Sequence, residues 1–349
     1  MKLLLIGLAI AALSLFLFLG WASYPWSLTS KSRSEQIIRI EPEGNVGNED
    51  HPAVIKVQTW NIGYLFGLGS EGPGYEARSK DFYQKKLDEL VAEIKASAPD
   101  VLCLQEVDFQ SDRSQSINQA RYLAQKAAYP YVAEAVSWEA NYIPFPYWPF
   151  SRHFGRMRSG GAILSKYPIT DHQVHLLDKP LSQPWWYNLF YLHRYVQKVT
   201  IEFGEKKISL INLHLEAFDK EDRRQQLAQL AARVKDEKVQ FVAGDFNMVP
   251  SSATKKSRFL DSTDDYENDP SYEVMKKSGL SEVIPDSIYT LNESAYFTFP
   301  SNRPDRRLDY IFFDPRLKMI KAEVLPSALS DHLPLQASIQ IGNPVFNPY

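Results

Sequence analysis

The chain has 349 residues, 44% of them hydrophobic and 23% charged, with a formal net charge of −3. That balance excludes a disordered chain, and it argues against a protein held to nucleic acid by a strongly basic face, since phosphate contacts supply most of such affinity. The single cysteine, Cys103, excludes an internal disulfide and a thiolate metal cluster; within Val101-Leu102-Cys103-Leu104 it reads as a buried core residue.

Residues 3–22 carry no charge and are almost all apolar, behind Lys2. A run of that length spans a bilayer as one helix. Gly20 and Ala22 also supply the small residues a signal peptidase needs, so residues 1–22 read as a transmembrane signal-anchor or as a cleaved signal peptide. Both readings place the rest of the chain outside the cytoplasm, membrane-anchored or secreted. The orientation is an expectation, because the charge bias is slight: Lys2 before the segment, Lys31 and Arg33 after it. Residues 23–52 are polar with little periodicity and read as a linker.

From residue 53 to 341 strand-like and helix-like runs alternate. Residues 53–60 (AVIKVQTW) alternate apolar and polar, as a half-buried strand does. Residues 80–97 predict an amphipathic helix with Tyr83, Leu87, Leu90, Val91 and Ile94 on one face, ended by Pro99. Residues 101–105 predict a short buried strand, and 162–165, 197–203, 208–213, 239–243, 308–313 and 335–341 further strands. Asp219 is placed to cap a helix carrying Leu227, Leu230, Ala231 and Val234. Residues 342–349 form a tail. No internal repeat is visible. Strands dominate and helices interrupt them irregularly, which predicts two packed sheets with helices on the outer faces.

Polar, metal-competent residues recur where an apolar strand stops. Asn61 follows the first strand, Glu106 follows 101–105, His214 ends 208–213, Asp245 and Asn247 follow 239–243, and Asp331 and His332 precede the last strand. Each alone reads as a turn residue. Repeated at successive strand ends, they converge on one cleft if those ends share an edge.

The segments Thr59-Trp60-Asn61-Ile62-Gly63, Leu104-Gln105-Glu106-Val107, Ser159-Gly160-Gly161-Ala162-Ile163-Leu164-Ser165, Asn212-Leu213-His214-Leu215, Gly244-Asp245-Phe246-Asn247, Arg307-Leu308-Asp309-Tyr310-Ile311-Phe312 and Ser330-Asp331-His332 now read together. In this order the chain resembles the endonuclease/exonuclease/phosphatase superfamily, over about residues 53–341. That group includes deoxyribonuclease I, the apurinic endonucleases, neutral sphingomyelinases and inositol polyphosphate phosphatases. The resemblance implies an α/β (α+β) fold: a four-layer sandwich of two mostly antiparallel sheets flanked by helices. It also implies phosphate-ester hydrolysis with a divalent cation, usually Mg2+, with Mn2+ and Ca2+ as alternatives.

By that resemblance Glu106 is the principal metal carboxylate, Asn61 lies beside it, and Asp331 is a further ligand, direct or through water; a hard cation wants such oxygen donors. His332 is paired with Asp309 and acts as a base toward water or as a charged phosphate clamp. Asp245 orients or deprotonates water, and Asn247 donates its amide to a phosphoryl oxygen. His214 matches a second histidine of the deoxyribonuclease and sphingomyelinase branches, which protonates the leaving oxygen or stabilises the phosphorane. One departure stands out. In deoxyribonuclease I a carboxylate supports that second histidine from the strand matching Ser159 to Ser165, and this sequence has no acid there. The Gly-Gly form and Thr298-Phe299-Pro300 look more like the sphingomyelinase branch.

Two stretches bear on the substrate. Residues 138–154 (WEANYIPFPYWPFSRHF) and 183–195 (QPWWYNLFYLHRY) are dense in Trp and Tyr. Such rings suit a membrane interface, stack on bases, or pack as a satellite cluster under long loops. His153 and Arg158 lie close enough in sequence to reach the cleft. Residues 257–269 read as a solvated acidic loop. The expected partner is therefore a phosphodiester, phospholipid or nucleic acid, with a membrane engaged through residues 1–22 and the aromatic loops. Nothing in the sequence requires an obligate protein partner. A lipid-headgroup phosphodiesterase fits the apolar segment and the absent basic excess; a tethered or secreted nuclease uses the same residues. A binding module that has lost catalysis is disfavoured by intact motifs.

Overall fold

The computed structural model describes residues 1–28, 30–44, 53–66, 78–260, 262 and 265–341. In chain order the elements used below are α1 (Lys2–Ala22), β1 (Ser32–Ser34), β2 (Ile37–Arg39), β3 (Val54–Asn61), α2 (Lys80–Ser97), β4 (Val101–Asp108), α3 (Gln119–Lys126), β5 (Tyr131–Ile143), β6 (Gly155–Ser165), β7 (Ile169–Leu176), α4 (Trp185–Phe190), β8 (Tyr195–Phe203), β9 (Lys206–His214), α5 (Lys220–Asp236), β10 (Phe241–Asp245), β11 (Ser281–Glu282), β12 (Asp309–Phe313), β13 (Lys318–Val324) and β14 (Leu335–Gln340).

The described strands form two seven-stranded sheets, ordered β13-β14-β3-β4-β6-β5-β2 and β1-β7-β8-β9-β10-β12-β11. Pairing is antiparallel except for β3 with β4 and β9 with β10. A parallel pair needs a crossover, and α2 and α5 supply the two. Ser79 caps α2 by accepting from the Phe82 amide, and Tyr83, Leu87, Leu90, Val91 and Ile94 are its buried stripe. Asp219 caps α5 by accepting from the Glu221 and Asp222 amides, and Leu227, Leu230 and Val234 face inward.

Side chains of successive strand residues point to opposite faces, and that alternation builds the four layers. Ile55, Val57, Val101, Cys103 and Ile163 of one sheet meet Val199, Ile201, Leu210, Phe241 and Ala243 of the other. Leu102, Leu104 and Leu164 turn outward onto α2 and α3, and Leu213 and Val242 turn outward onto α5. The α/β sandwich is the architecture expected, and Cys103 is free and buried in its centre.

One expectation is corrected. Residues 23–52 are not simply a linker, because β1 and β2 add edge strands. Ile37–Arg39 pairs with β5, and Ser32–Ser34 with β7. The exposed edges of β5 and β7 offer unpaired backbone groups, which a short extended segment satisfies whatever its side chains. Residues 45–52, in the same segment, and the tail 342–349 lie outside the described residues, as do parts of 257–269. α1 is long and apolar enough to cross a membrane. Its end is docked: Ala22 is buried, and Asn141 Nδ2 donates to the Trp21 carbonyl at 2.9 Å.

Candidate active site

The two parallel pairs decide where the site lies. Asn61, Glu106, His214 and Asp245 sit at or near the carboxyl ends of β3, β4, β9 and β10. β12 runs antiparallel to β10, so its first residue, Asp309, stands opposite Asp245. β14 runs antiparallel to β3, so residues 330–332 return to the end of β3. There Ser330 Oγ donates to the Asn61 carbonyl at 2.7 Å, and Trp60 Nε1 donates to the His332 carbonyl at 3.0 Å. Pairing of β4 with β6 slips between Leu104 and Val107, and Glu106 takes a left-handed φ of 53°. Such a bulge re-aims a side chain.

One hydrogen-bonded group results. Asn61 Nδ2 donates to Glu106 Oε1 at 3.1 Å and to Asp245 Oδ2 at 3.0 Å, while its Oδ1 accepts from the Gly63 amide at 3.0 Å. Asp245 Oδ1 accepts from the Asn247 amide at 3.0 Å, and Asn247 Nδ2 donates to the Leu215 carbonyl at 3.0 Å. His332 Nδ1 pairs with Asp309 Oδ2 at 2.8 Å, and its Nε2 lies 3.7 Å from Asp245 Oδ2. Asp331 Oδ1 accepts from Ser330 Oγ at 3.1 Å. Thr298 Oγ1 accepts from the Leu308 and Asp309 amides, and the Phe299 ring lies 4.7 Å from the His332 ring, so the Thr-Phe-Pro segment buttresses this pair.

The two histidines are held in opposite states. Burial works against charge on His332, but the carboxylates of Asp309, Asp245 and Asp331 outweigh it and raise its pKa to about 10. Burial, Arg194 and His332 hold His214 well below 6.5. Burial raises Asp245 to about 7, against the pull of His332. Glu106 is raised by burial and by the neighbouring Asp331 carboxylate. Among the described residues, Asp245, Asp309 and His332 also bring ligating atoms within 4.8 Å of one another.

Residues 59–332 match the Endonuclease/Exonuclease/phosphatase family. The chain belongs to this family. No curated protein matches it. Among solved structures it is similar to an endonuclease/exonuclease/phosphatase from Beutenbergia cavernae, with 21% identity and a TM-score of 0.62 over 84% of this chain and 72% of that one. A mannosyl-6-phosphatase from Bacteroides thetaiotaomicron gives 14%, 0.54, 82% and 99%. A humanized D. rerio TDP2 gives 16%, 0.53, 83% and 100%. At these identities the likeness is one of fold. Members of the endonuclease/exonuclease/phosphatase family are mostly metal-dependent phosphoric ester hydrolases.

All eight residues singled out in the sequence as family positions lie at this edge. Arg194 does too, and was missed. It is buried, directly precedes β8, and the Tyr195–His214 pairing brings it alongside His214. Its Nη1 donates to His214 Nε2, and Nη2 to Tyr191 Oη at 3.4 Å; Nε lies 3.6 Å from Glu216 Oε2. A guanidinium only donates, so His214 accepts at Nε2 and carries its proton on Nδ1. The support that the sequence left open for this ring is thus a cation. Within an aromatic-rich stretch, a lone arginine gave no signal. His153 and Arg158 are engaged elsewhere, with Tyr142 Oη and with Glu139. The Gly-Gly pair has a packing reason: a Cβ on Gly161 would sit 1.8 Å from Tyr195 Oη, and one on Gly160 would sit 1.9 Å from the Ala135 carbonyl oxygen.

Proposed function

We propose that this protein is a metal-dependent phosphodiesterase working outside the cytoplasm, with phospholipid headgroups as the favoured substrate class. The observation that carries the hydrolase reading is Asn61 bridging Glu106 and Asp245, with the His332–Asp309 pair facing Asp245.

Glu106 and Asp331 offer oxygen donors suited to a hard cation such as Mg2+, with Mn2+ and Ca2+ as alternatives; Asn61 would join them through Oδ1 once its amide turns, since Nδ2 faces Glu106 and Oδ1 faces the Gly63 amide. The fit is electrostatic: burial and then the Asp331 carboxylate raise the Glu106 pKa, a penalty on its charge that a bound cation offsets. The alternative set of Asp245, Asp309 and His332 is less suitable, because a ligating imidazole must be neutral and the surrounding carboxylates raise the His332 pKa to about 10. When bound, the cation polarises a phosphoryl oxygen.

The remaining roles follow from charge. His332, with its raised pKa, is an imidazolium at neutral pH and favours the role of phosphate clamp over that of base. Asp245, near 7, is poised to accept a proton from water. Asn247 spends one amide hydrogen on Leu215 and keeps the other for a phosphoryl oxygen. His214, neutral and accepting from Arg194, serves as a hydrogen-bonding wall rather than as the proton donor. The lipid preference rests on α1 and the net charge of −3, which disfavours a phosphate-tracking groove. The docked end of α1 favours a retained anchor over a cleaved signal.

The test is a paired assay on the full chain in nanodiscs with Mg2+. One arm offers sphingomyelin and phosphatidylcholine, the other single- and double-stranded DNA and RNA, each with a chelator control. Chelator-sensitive headgroup release, abolished in Glu106→Gln, is expected. Cleavage of nucleic acid with inert lipid would replace the lipid reading by a nuclease one, and full activity in chelator or in Glu106→Gln would overturn the metal assignment.

A further inference from the structure

The exposed rings of this molecule are not scattered. Between β5 and β6, Trp148 is 74% exposed and Phe150 67%; on α4, Trp185 is 72% exposed and Trp186 53%. Phe145 of the β5–β6 turn and Phe190 of α4 pack against the same buried cluster of Ile143, Phe154 and Met157, so the turn and α4 lie side by side. Trp138 Nε1 of β5 also donates to the Phe190 carbonyl at 2.9 Å, tying α4 to the same strand.

This face is continuous with the end of α1. The Phe18 ring lies 6.1 Å from that of Tyr142 in β5. Tyr142 Oη bonds His153 Nδ1 at 2.6 Å, His153 packs 5.3 Å from Phe150, and Phe150 packs 5.0 Å from Trp148. The other side of the face reaches the site. Tyr187 and Tyr191 rings lie 5.2 Å apart, and Tyr191 Oη accepts from Arg194, which donates to His214.

We propose that the β5–β6 turn and α4 form a membrane-seating surface that holds the catalytic edge against the bilayer containing α1. A cluster of exposed Trp and Phe is what water disfavours and what a headgroup layer accepts, since the ring is apolar and the indole N–H finds partners there. The occupant is a lipid surface because α1, exposed from Leu3 to Phe18 and almost wholly apolar there, leaves the fold beside these rings. A membrane holding α1 must pass next to Phe18 and Tyr142, within two ring contacts of Phe150. This deepens the lipid reading above and rests on α1 lying in a bilayer.

The experiment uses the full chain in phosphatidylcholine nanodiscs. Cys103 is buried, so nitroxide labels can be placed one at a time through Trp148→Cys, Trp185→Cys and, as a reference, Ile320→Cys. Ile320 is exposed on β13, at the opposite edge of the sheet from β5 and β2. Labels at 148 and 185 should be reached by oxygen and shielded from an aqueous nickel chelate, relative to position 320. Equal nickel accessibility at the three positions would overturn the proposal. So would shielding from both reagents, which signals a protein contact. The readout needs no turnover, so it stands apart from the hydrolase reading. In the double variant Trp148→Ala/Trp185→Ala, hydrolysis of bilayer lipid should fall by about tenfold or more, with turnover of soluble bis(4-nitrophenyl) phosphate unchanged. An equal fall on both substrates would count against seating.

Discussion

At the scale of single residues the site works by contrast. His332 sits among three carboxylates and is charged; His214 sits against Arg194 and is neutral. Asp309 maintains the first state. It is fully buried, its Oδ2 holds His332 Nδ1 at 2.8 Å, and its backbone is fixed by Thr298. Asp309→Asn keeps the size and removes the charge. A catalytic histidine held in the wrong tautomer, or left uncharged, loses a contribution of about two to four orders of magnitude. We expect kcat to fall by that amount, with cation affinity measured by calorimetry unchanged, because Asp309 is outside the Glu106 donor set. Unchanged kcat would remove the pair from the mechanism; lost cation affinity would instead favour the Asp245, Asp309 and His332 metal set.

Among the elements, legibility followed burial pattern. α2 was readable to its five core residues because a single apolar stripe faces one sheet. β5, with 13 residues, was not read as a strand. Its Glu134 and Glu139 look like solvent positions in the sequence but are buried against Arg121 and Arg158, and β2 covers its edge. Site residues borne on strand ends were visible because polar residues interrupt apolar runs there. Arg194, hidden among aromatics, was not. The glycines of β6 were visible as a motif, but their reason is tertiary: Tyr195, from the other sheet, fills the space where a Gly161 side chain would stand. Gly161→Ala should therefore cost about 1–3 kcal/mol or more by overpacking, read as a shift in denaturant midpoint. An unshifted midpoint would mean that the sheets separate freely at this point.

On the scale of the whole molecule, two sheets with one βαβ crossover each meet face to face, and the candidate active-site edge exists only while they stay in register. A polar bridge helps set that register. Gln197 of β8 donates to the Ala133 carbonyl of the opposite sheet at 2.9 Å, and its amide nitrogen also lies 3.1 Å from His172 Nε2. Burial lowers His172 to about 4, with Arg33 pushing down and Asp171 and Glu134 pulling up. The folded state thus refuses a proton that the unfolded chain accepts near pH 6.5. Between about pH 6.5 and 4 the unfolded state binds more protons, so stability is full above that window and is lost as pH falls through it. At roughly 1.4 kcal/mol per pKa unit, His172 contributes at most about 3.5 kcal/mol to that loss. His193, also lowered to about 4, contributes in the same direction. His172→Gln keeps an amide acceptor for Gln197 but cannot take up the proton. Chemical denaturation of the two proteins from pH 7 to 4.5 should give a shallower decline in the variant, with the curves converging toward low pH. Parallel curves would mean that His172 is protonated as readily folded as unfolded, and that the bridge between the sheets is open to water.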